Sequence, residues 1–379
     1  MKKIYLDYAA ATPVDPQVFK AMKPYFSDRF HNPSATYLAA RQIHKELEQA
    51  RRQVAECLGA KPAEVVFTAG ATEANNLAIQ GIMRDFAGGE VLVSAIEHES
   101  VLEPAGLFSN KKIPVDAEGK AILNELSNLI SDKTVLVSVV YVNNETGTVQ
   151  PLREIAALLV EKRQGRRRQN NKLPLYFHTD AAQAPNYFDI HVSRLGVDLM
   201  SINGGKIYGP KQSGALYVKA GVKLQPLIVG GGQEFNLRSG TENVAAAIGL
   251  AAALKLTQER RKAEAVRLSK LRNLFTDELE KVIPNATING SKKRQSPHII
   301  SVSFPGVDNE RLMIQLDEVG IQAATGSACA AANVEPSHVL SAIGLSDKAA
   351  HSTLRFSFGR QTAEADIHKV VRLLTKLIS

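Results

Sequence analysis

A lysine on a glycine turn and an aspartate at a strand end are the first residues in this chain that suggest chemistry. Lys206 sits in Ser201-Ile202-Asn203-Gly204-Gly205-Lys206-Ile207-Tyr208-Gly209-Pro210-Lys211, and Asp180 closes the run His178-Thr179-Asp180 upstream. An amine so placed can form a Schiff base with an aldehyde, and a carboxylate can keep a pyridine nitrogen protonated. Pyridoxal phosphate (PLP) needs both. A third segment, Phe67-Thr68-Ala69-Gly70-Ala71-Thr72-Glu73, reads as a strand entering a glycine turn and then a helix. Free N–H groups and the helix dipole at such a start favour a phosphate, with the Thr72 hydroxyl as a further donor. Thr72 with Asn75 or Asn76 acting only as helix caps is the competing reading.

Other candidates are more ambiguous. His98, in Ile96-Glu97-His98-Glu99-Ser100, follows a strand and reads either as a capping residue or as a ring stacked on the pyridine that shuttles protons. Asn144 and Gln183 are neutral hydrogen-bonding groups at two more strand ends, suited to a ring oxygen and equally suited to turns. Of the two cysteines, Cys57 shares a helical stripe with Ile43, Leu47, Ala50, Val54 and Leu58, which argues for packing. Cys329 lies in Ala323-Ala324-Thr325-Gly326-Ser327-Ala328-Cys329-Ala330-Ala331-Ala332, where small residues predict a mobile loop carrying a thiol, with packing at a domain seam as the alternative.

The elements that must position these groups alternate in type. Strands are predicted at 64–68, 91–94, 134–141, 175–178, 199–202 and 215–218, with helices starting near 72, 100 and 153. That order predicts a mostly parallel sheet wrapped by helices, with ligands at the carboxyl ends of its strands. Helix formers dominate from 242 to about 282. A smaller α/β unit follows, with strands near 299–304 and 353–358 and a final helix. The chain has 379 residues, room for two domains, and a net charge of +8 that is scattered except at 162–172. This stretch reads as a solvated surface loop, with an acidic or tRNA-like partner as the alternative. No apolar run approaches a membrane span and no signal-peptide core follows Met1, so the expected location is the cytoplasm, without membrane attachment.

Taken together, the motifs resemble the class V, fold-type I PLP enzymes, and among them the group I cysteine desulfurases of the NifS/IscS type. The likeness runs from Tyr5-Leu6-Asp7-Tyr8-Ala9-Ala10 through His31-Asn32-Pro33-Ser34, Gly70-Ala71-Thr72-Glu73, Val142-Asn143-Asn144-Glu145 and Arg238-Ser239-Gly240-Thr241 to Leu354-Arg355-Phe356-Ser357-Phe358-Gly359-Arg360. Its most specific block is Gly326-Ser327-Ala328-Cys329 with Glu335-Pro336-Ser337 beyond it. The resemblance implies an α/β fold with a large PLP-binding domain (14–255), its mostly parallel sheet flanked by helices, and a smaller α/β domain (1–13 with 256–379) carrying the Cys329 loop. It implies that Lys206 bears the Schiff base, Asp180 pairs with the ring nitrogen, Asn144 and Gln183 bond the ring hydroxyl, and His98 stacks on the ring. Ala71, Thr72, Asn203 and Gly205 would surround the phosphate, Thr241 would reach it from the other subunit of a homodimer, and Asn32 and Arg355 would hold the substrate carboxylate. L-cysteine would yield L-alanine and a Cys329 persulfide, passed to an iron–sulfur scaffold or a tRNA-thiolation acceptor. No metal is required, although Cys329 is a candidate transient iron–sulfur ligand, and no direct nucleic-acid binding is expected.

The chain departs from the family pattern at two places. Histidine usually precedes the Schiff-base lysine, with serine two residues earlier; here those positions hold Gly205 and Asn203. The missing donor predicts weaker hold on PLP, by about 1.5–3 kcal/mol for a charge-assisted bond. The chain also stops at Ile378-Ser379, whereas several relatives continue into a tail that docks a scaffold, so the resemblance implies desulfuration more firmly than handover to such a scaffold. Two alternatives remain: a selenocysteine lyase or cysteine sulfinate desulfinase, or a non-catalytic PLP-fold binding protein.

Overall fold

The computed structural model describes residues 3–326 and 336–378. Its strands are β1 (Ile4–Tyr5), β2 (Val65–Thr68), β3 (Glu90–Ser94), β4 (Ser109–Ile113), β5 (Thr134–Ser138), β6 (Tyr176–Asp180), β7 (Leu199–Asn203), β8 (Gly214–Val218), β9 (Thr287–Asn289), β10 (Ile299–Ser303), β11 (Ile321–Gln322) and β12 (Thr353–Ser357). Seven form one sheet in the order β2-β8-β7-β6-β5-β3-β4, parallel from β7 to β4, with β8 antiparallel to both its neighbours. Strands β3 and β5 are buried along their whole length, as expected of near-continuous apolar runs covered on both faces. The helices Leu38–Leu58 and Leu152–Arg168 and the first half of Val244–Val282 cover one face; Ala71–Met83 and Glu99–Gly106 cover the other.

A second core gathers around β10, which lies between β12 and β9 in antiparallel register. Phe275, Phe304, Phe356 and Phe358 fill it, with the helices Asn309–Glu318 and Glu364–Ile378 packed alongside. Ile4 and Leu6 are buried in the same core, because β1 pairs with β11 across most of the chain length. One helix of 39 residues, Val244–Val282, contributes to both cores. At about 1.5 Å per residue it is roughly 58 Å long, enough to reach across the molecule. Gly249 on this helix has no room for a side chain: a Cβ there would lie 2.8 Å from Pro210 Cγ and 2.7 Å from Met22 Sδ.

The basic stretch is a correction to the sequence reading. Through Arg168 it is helix rather than loop, and Arg166 is buried, donating to the carbonyls of Ser131 and Pro174. Arginines in the last turn complement the negative end of the helix dipole, so the charge run extends the helix. Among the described residues, no helix is long and apolar enough to cross a membrane.

Candidate active site

The carboxyl ends of β5, β6 and β7 fall along one edge of the sheet and open onto a cavity of about 300 Å³. Its lining includes Ala71, Thr72, His98, Asn144, Asp180, Gln183, Asn203, Lys206 and Arg355, drawn from segments scattered over most of the chain. Lys206 ends a single turn, Gly204–Lys206, that begins where β7 stops. Asn203 caps that turn by accepting from Gly205 N at 2.9 Å. Gly204 is obligatory here, since a Cβ would meet Ser213 Oγ at 2.0 Å. The Lys206 ammonium donates to the Ala10 carbonyl, which holds it at the cavity wall.

Asp180 is buried and fixed from two sides, accepting from Ala182 N at 2.8 Å and from Asn75 Nδ2 at 2.7 Å. Asn75, on the helix Ala71–Met83, also donates to Ser100 Oγ at 2.9 Å. His98 bears out its capping reading, and its ring also faces the cavity. It caps the helix Glu99–Gly106, with Nδ1 accepting from Ser100 N at 3.0 Å. Because Nδ1 accepts, the neutral ring carries its proton on Nε2. Behind it, Glu97 is fully buried, and burial raises its carboxyl well above the ordinary range.

Gln183 donates to the Ala9 carbonyl at 2.9 Å and contacts His298 through Oε1. Arg355, also buried, donates from Nη2 to Asp7 at 2.7 Å and from Nη1 to the Asn144 carbonyl at 3.0 Å, while its Nε has no partner. Arg355 itself lines the cavity, and a guanidinium there suits an incoming carboxylate. At the far end, the helix Ala71–Met83 starts at Gly70 with no side chain capping it, and Thr72 makes no such cap. A second recess of about 210 Å³ adjoins here, lined by Gly70, Ala71, Thr72, Gly205, Lys211 and Gln212 among others.

Two predicted residues lie elsewhere. Asn32 is exposed, its Oδ1 accepting from Ser34 N, and Thr241 is exposed beside Gly240; neither lines the cavity of its own chain. Their neighbours Pro33, Ser34 and Glu242 share one outer recess, so both residues belong to the same face. The loop before Thr241 contains three successive left-handed residues, Glu234, Phe235 and Asn236, at φ 48°, 59° and 65°. Buried Arg51 braces it through two 2.7 Å bonds to Glu234, whose carboxylate also accepts from Phe67 N on β2. Cys329 lies outside the described residues. Cys57 packs against the larger core, and burial pushes its thiol up to about 11, out of range for a nucleophile at neutral pH.

Asn75, Asp7 and Lys211 escaped the sequence reading. Asn75 was considered only as a cap, and the other two carry no local signal. Among the described residues no cluster of His, Cys, Asp and Glu could hold a metal ion. The donor set does fit PLP: an amine and a fixed carboxylate in one cavity, an aromatic ring beside them, and an uncapped helix start for the phosphate. The cavity size suits a small ligand.

Comparison with known proteins follows the same line. The profile of the family described as Aminotransferase class-V matches residues 4–370. Cysteine desulfurase IscS of Dictyoglomus turgidum is 39% identical, with 100% of this chain and 95% of that protein aligned. Cysteine desulfurase IscS of Clostridium botulinum (strain Hall) is 41% identical over 100% of this chain and 94% of its own. Among solved structures, a NifS-like protein superposes with a TM-score of 0.91 at 30% identity, covering 100% and 99% of the two chains. A structure of SspA in complex with cysteine superposes at 0.80 with 36% identity, covering 94% and 99%.

Proposed function

The chain belongs to the class-V aminotransferase family, and from that membership we propose that it is a PLP-dependent cysteine desulfurase. L-cysteine is converted to L-alanine, and the sulfur passes to Cys329 as a persulfide. The observation that carries this reading is the cavity that brings Lys206, Asp180, His98 and Arg355 to one sheet edge.

When bound, PLP supplies an aldehyde for the lysine amine and an electron-withdrawing ring. The protein's own groups do the rest. Asp180, held by Asn75 and Ala182, presents its negative charge at the ring-nitrogen end. Lys206 would hold the aldehyde, and its amine would be the base placed to take a proton from the substrate Cα. His98 would pack against the ring, with the proton on its Nε2 available for donation. Arg355 takes the substrate carboxylate. Gln183 and Asn144 would bond the ring hydroxyl, and the first-turn N–H groups after Gly70 would hold the phosphate with Thr72, with Asn203 and Gly205 lying around it. Cys329, as thiolate, would attack the substrate sulfur; the Cβ–S bond breaks with its electron pair going to the substrate carbon, which is protonated to give alanine.

We assign 14–255 to a cofactor-binding domain, and 1–13 with 256–379 to a smaller one; the two separate cores support the division. The working form is a homodimer in which Thr241, with Asn32, completes the neighbouring site. Their shared outer face and the exposed Phe26, Phe30, Tyr37 and Leu38 support it. The acceptor is an iron–sulfur scaffold or a tRNA-thiolation protein, met in the cytoplasm. The test is Cys329→Ala. PLP stays bound, seen as visible absorbance, while alanine and sulfide formation from L-cysteine fall to background. Unchanged turnover in that variant would point instead to a lyase that needs no cysteine nucleophile, and purified protein that binds no PLP would end the reading.

A further inference from the structure

The recess beside the start of the helix Ala71–Met83 contains a cation that the reading above does not use. Lys211 lines it, opposite the uncapped first turn at Ala71 and Thr72. The turn that carries Lys211 is held tightly. Gly204 N donates to Ser213 O at 2.8 Å, Gly209 N to Gly204 O at 3.0 Å, and Ser213 Oγ to Pro210 O at 2.6 Å. It also sits hard against the helix start, since a Cβ on Gly214 would lie 2.6 Å from Gly70 Cα. The Lys211 backbone is therefore fixed at the rim of the recess while its side chain is exposed.

Position 205 leaves a gap on the same wall. A Cβ built on Gly205 would meet Asn203 Oδ1 at 3.4 Å and both Cα and Cγ of Lys211 at 3.7 Å, so the space it vacates opens onto the lysine stem. Asn203 turns its oxygen onto Gly205 N, and among the described residues that line the recess the cationic side chains are Lys206 and Lys211. Lys206 is tied to the Ala10 carbonyl and committed to the aldehyde end. A phosphate monoester carries about −1.5 to −2 charges at pH 7. Backbone N–H groups and a hydroxyl lend only partial charge against that.

We propose that Lys211 is the phosphate's counter-charge, its ammonium reaching across the space left open at Gly205 to the anion seated on the helix start. This rests on the cavity being the PLP site. A lysine there acts as a point charge on a flexible stem, so its contribution is electrostatic and largely indifferent to hydrogen-bond direction.

The test compares equilibrium binding of PLP with that of pyridoxal, which has the aldehyde and ring but no phosphate, to apoprotein prepared from the purified enzyme. Lys211→Gln is expected to weaken PLP by about tenfold, as loss of one partly solvated charge contact would. Pyridoxal affinity should stay unchanged in that variant, and Lys211→Arg should restore PLP binding. Lys211→Gln that binds PLP as tightly as the parent overturns the inference. So does a variant that loses both ligands equally, because that marks a folding role for the turn. Parent protein that binds neither ligand overturns the cofactor reading itself, and this one with it.

Discussion

Under the proposed function, Asp7 would share the Arg355 guanidinium with the substrate carboxylate, and removing only its charge separates two opposite effects. The Arg355 side chain is 3% exposed and the Asp7 side chain 19%, with Nη2 and Oδ1 at 2.7 Å. Asp7→Asn keeps an acceptor oxygen but exchanges a charge-assisted bond, worth about 1.5–3 kcal/mol, for a neutral one worth about 0.5–1.5 kcal/mol. The fold therefore loses about 1–2 kcal/mol. With about 2.1 cal/mol/K of unfolding entropy per residue, this 379-residue chain has roughly 0.8 kcal/mol/K in total, so Tm falls by only about 1–3 °C. The substrate carboxylate gains what the fold loses, since it meets an arginine that is no longer neutralised. KM for L-cysteine should fall by up to about tenfold, the equivalent of 1.4 kcal/mol, with kcat little changed. The assay is alanine formation against cysteine concentration for parent and variant, beside a thermal melt. A KM that rises in a variant with near-parental Tm would refute the reasoning, because Asp7 would then be orienting Arg355 rather than competing for it.

Two further predictions concern stability. Burial lowers His178 and His298 to about 3, while it raises Glu97 well above its ordinary range. Between about pH 4.5 and 6.5 the unfolded chain binds a proton at each histidine that the fold does not, and the fold keeps one on Glu97 that the unfolded chain releases. The net excess is about one proton in the unfolded state. Stability due to these groups thus declines by about 1.4 kcal/mol for each pH unit lost across that window. His178→Asn should nearly flatten the slope of urea midpoint against pH, and an unaltered slope would contradict it. Gly204→Ala should fail to fold or to bind PLP, given the 2.0 Å clash with Ser213 Oγ, whereas Gly205→Ala, with nothing nearer than 3.4 Å, should fold with near-parental Tm. Equal behaviour of the two in visible absorbance and melting would show that the turn relaxes freely.

Much of the sheet was readable because its inner strands are short runs dominated by apolar and β-forming residues: β5, β7 and β8 begin within a residue of their expected positions. The edge strand Ser109–Ile113 was not, since four of its five residues are exposed and two are lysines, which guards an edge but erases the periodic signal. The 162–172 stretch misled for a related reason. Charge suggested solvent, yet Arg166 buries its stem and spends its N–H groups on two carbonyls. At the site, Lys206 and Asp180 were legible from local turn and strand-end chemistry. Asp7 was not, because its partner lies 348 residues away and only the closing of β1 on β11 and β12 on β10 brings them together. Asn32 and Thr241 were found by motif, but nothing local says that they face outward.

The left-handed stretch at Glu234, Phe235 and Asn236 has a bearing on assembly. Each such residue sits in a sparsely populated conformation, and the doubly bonded Arg51 holds it there before any second copy arrives. In the proposed homodimer, an edge already stiffened in this way would give up little conformational freedom on contact, so more of the contact energy would remain to hold the copies together. If the protein is the homodimer proposed above, loosening that brace from inside one subunit, as Arg51→Lys would, should therefore shift the monomer–dimer balance although Arg51 itself is buried.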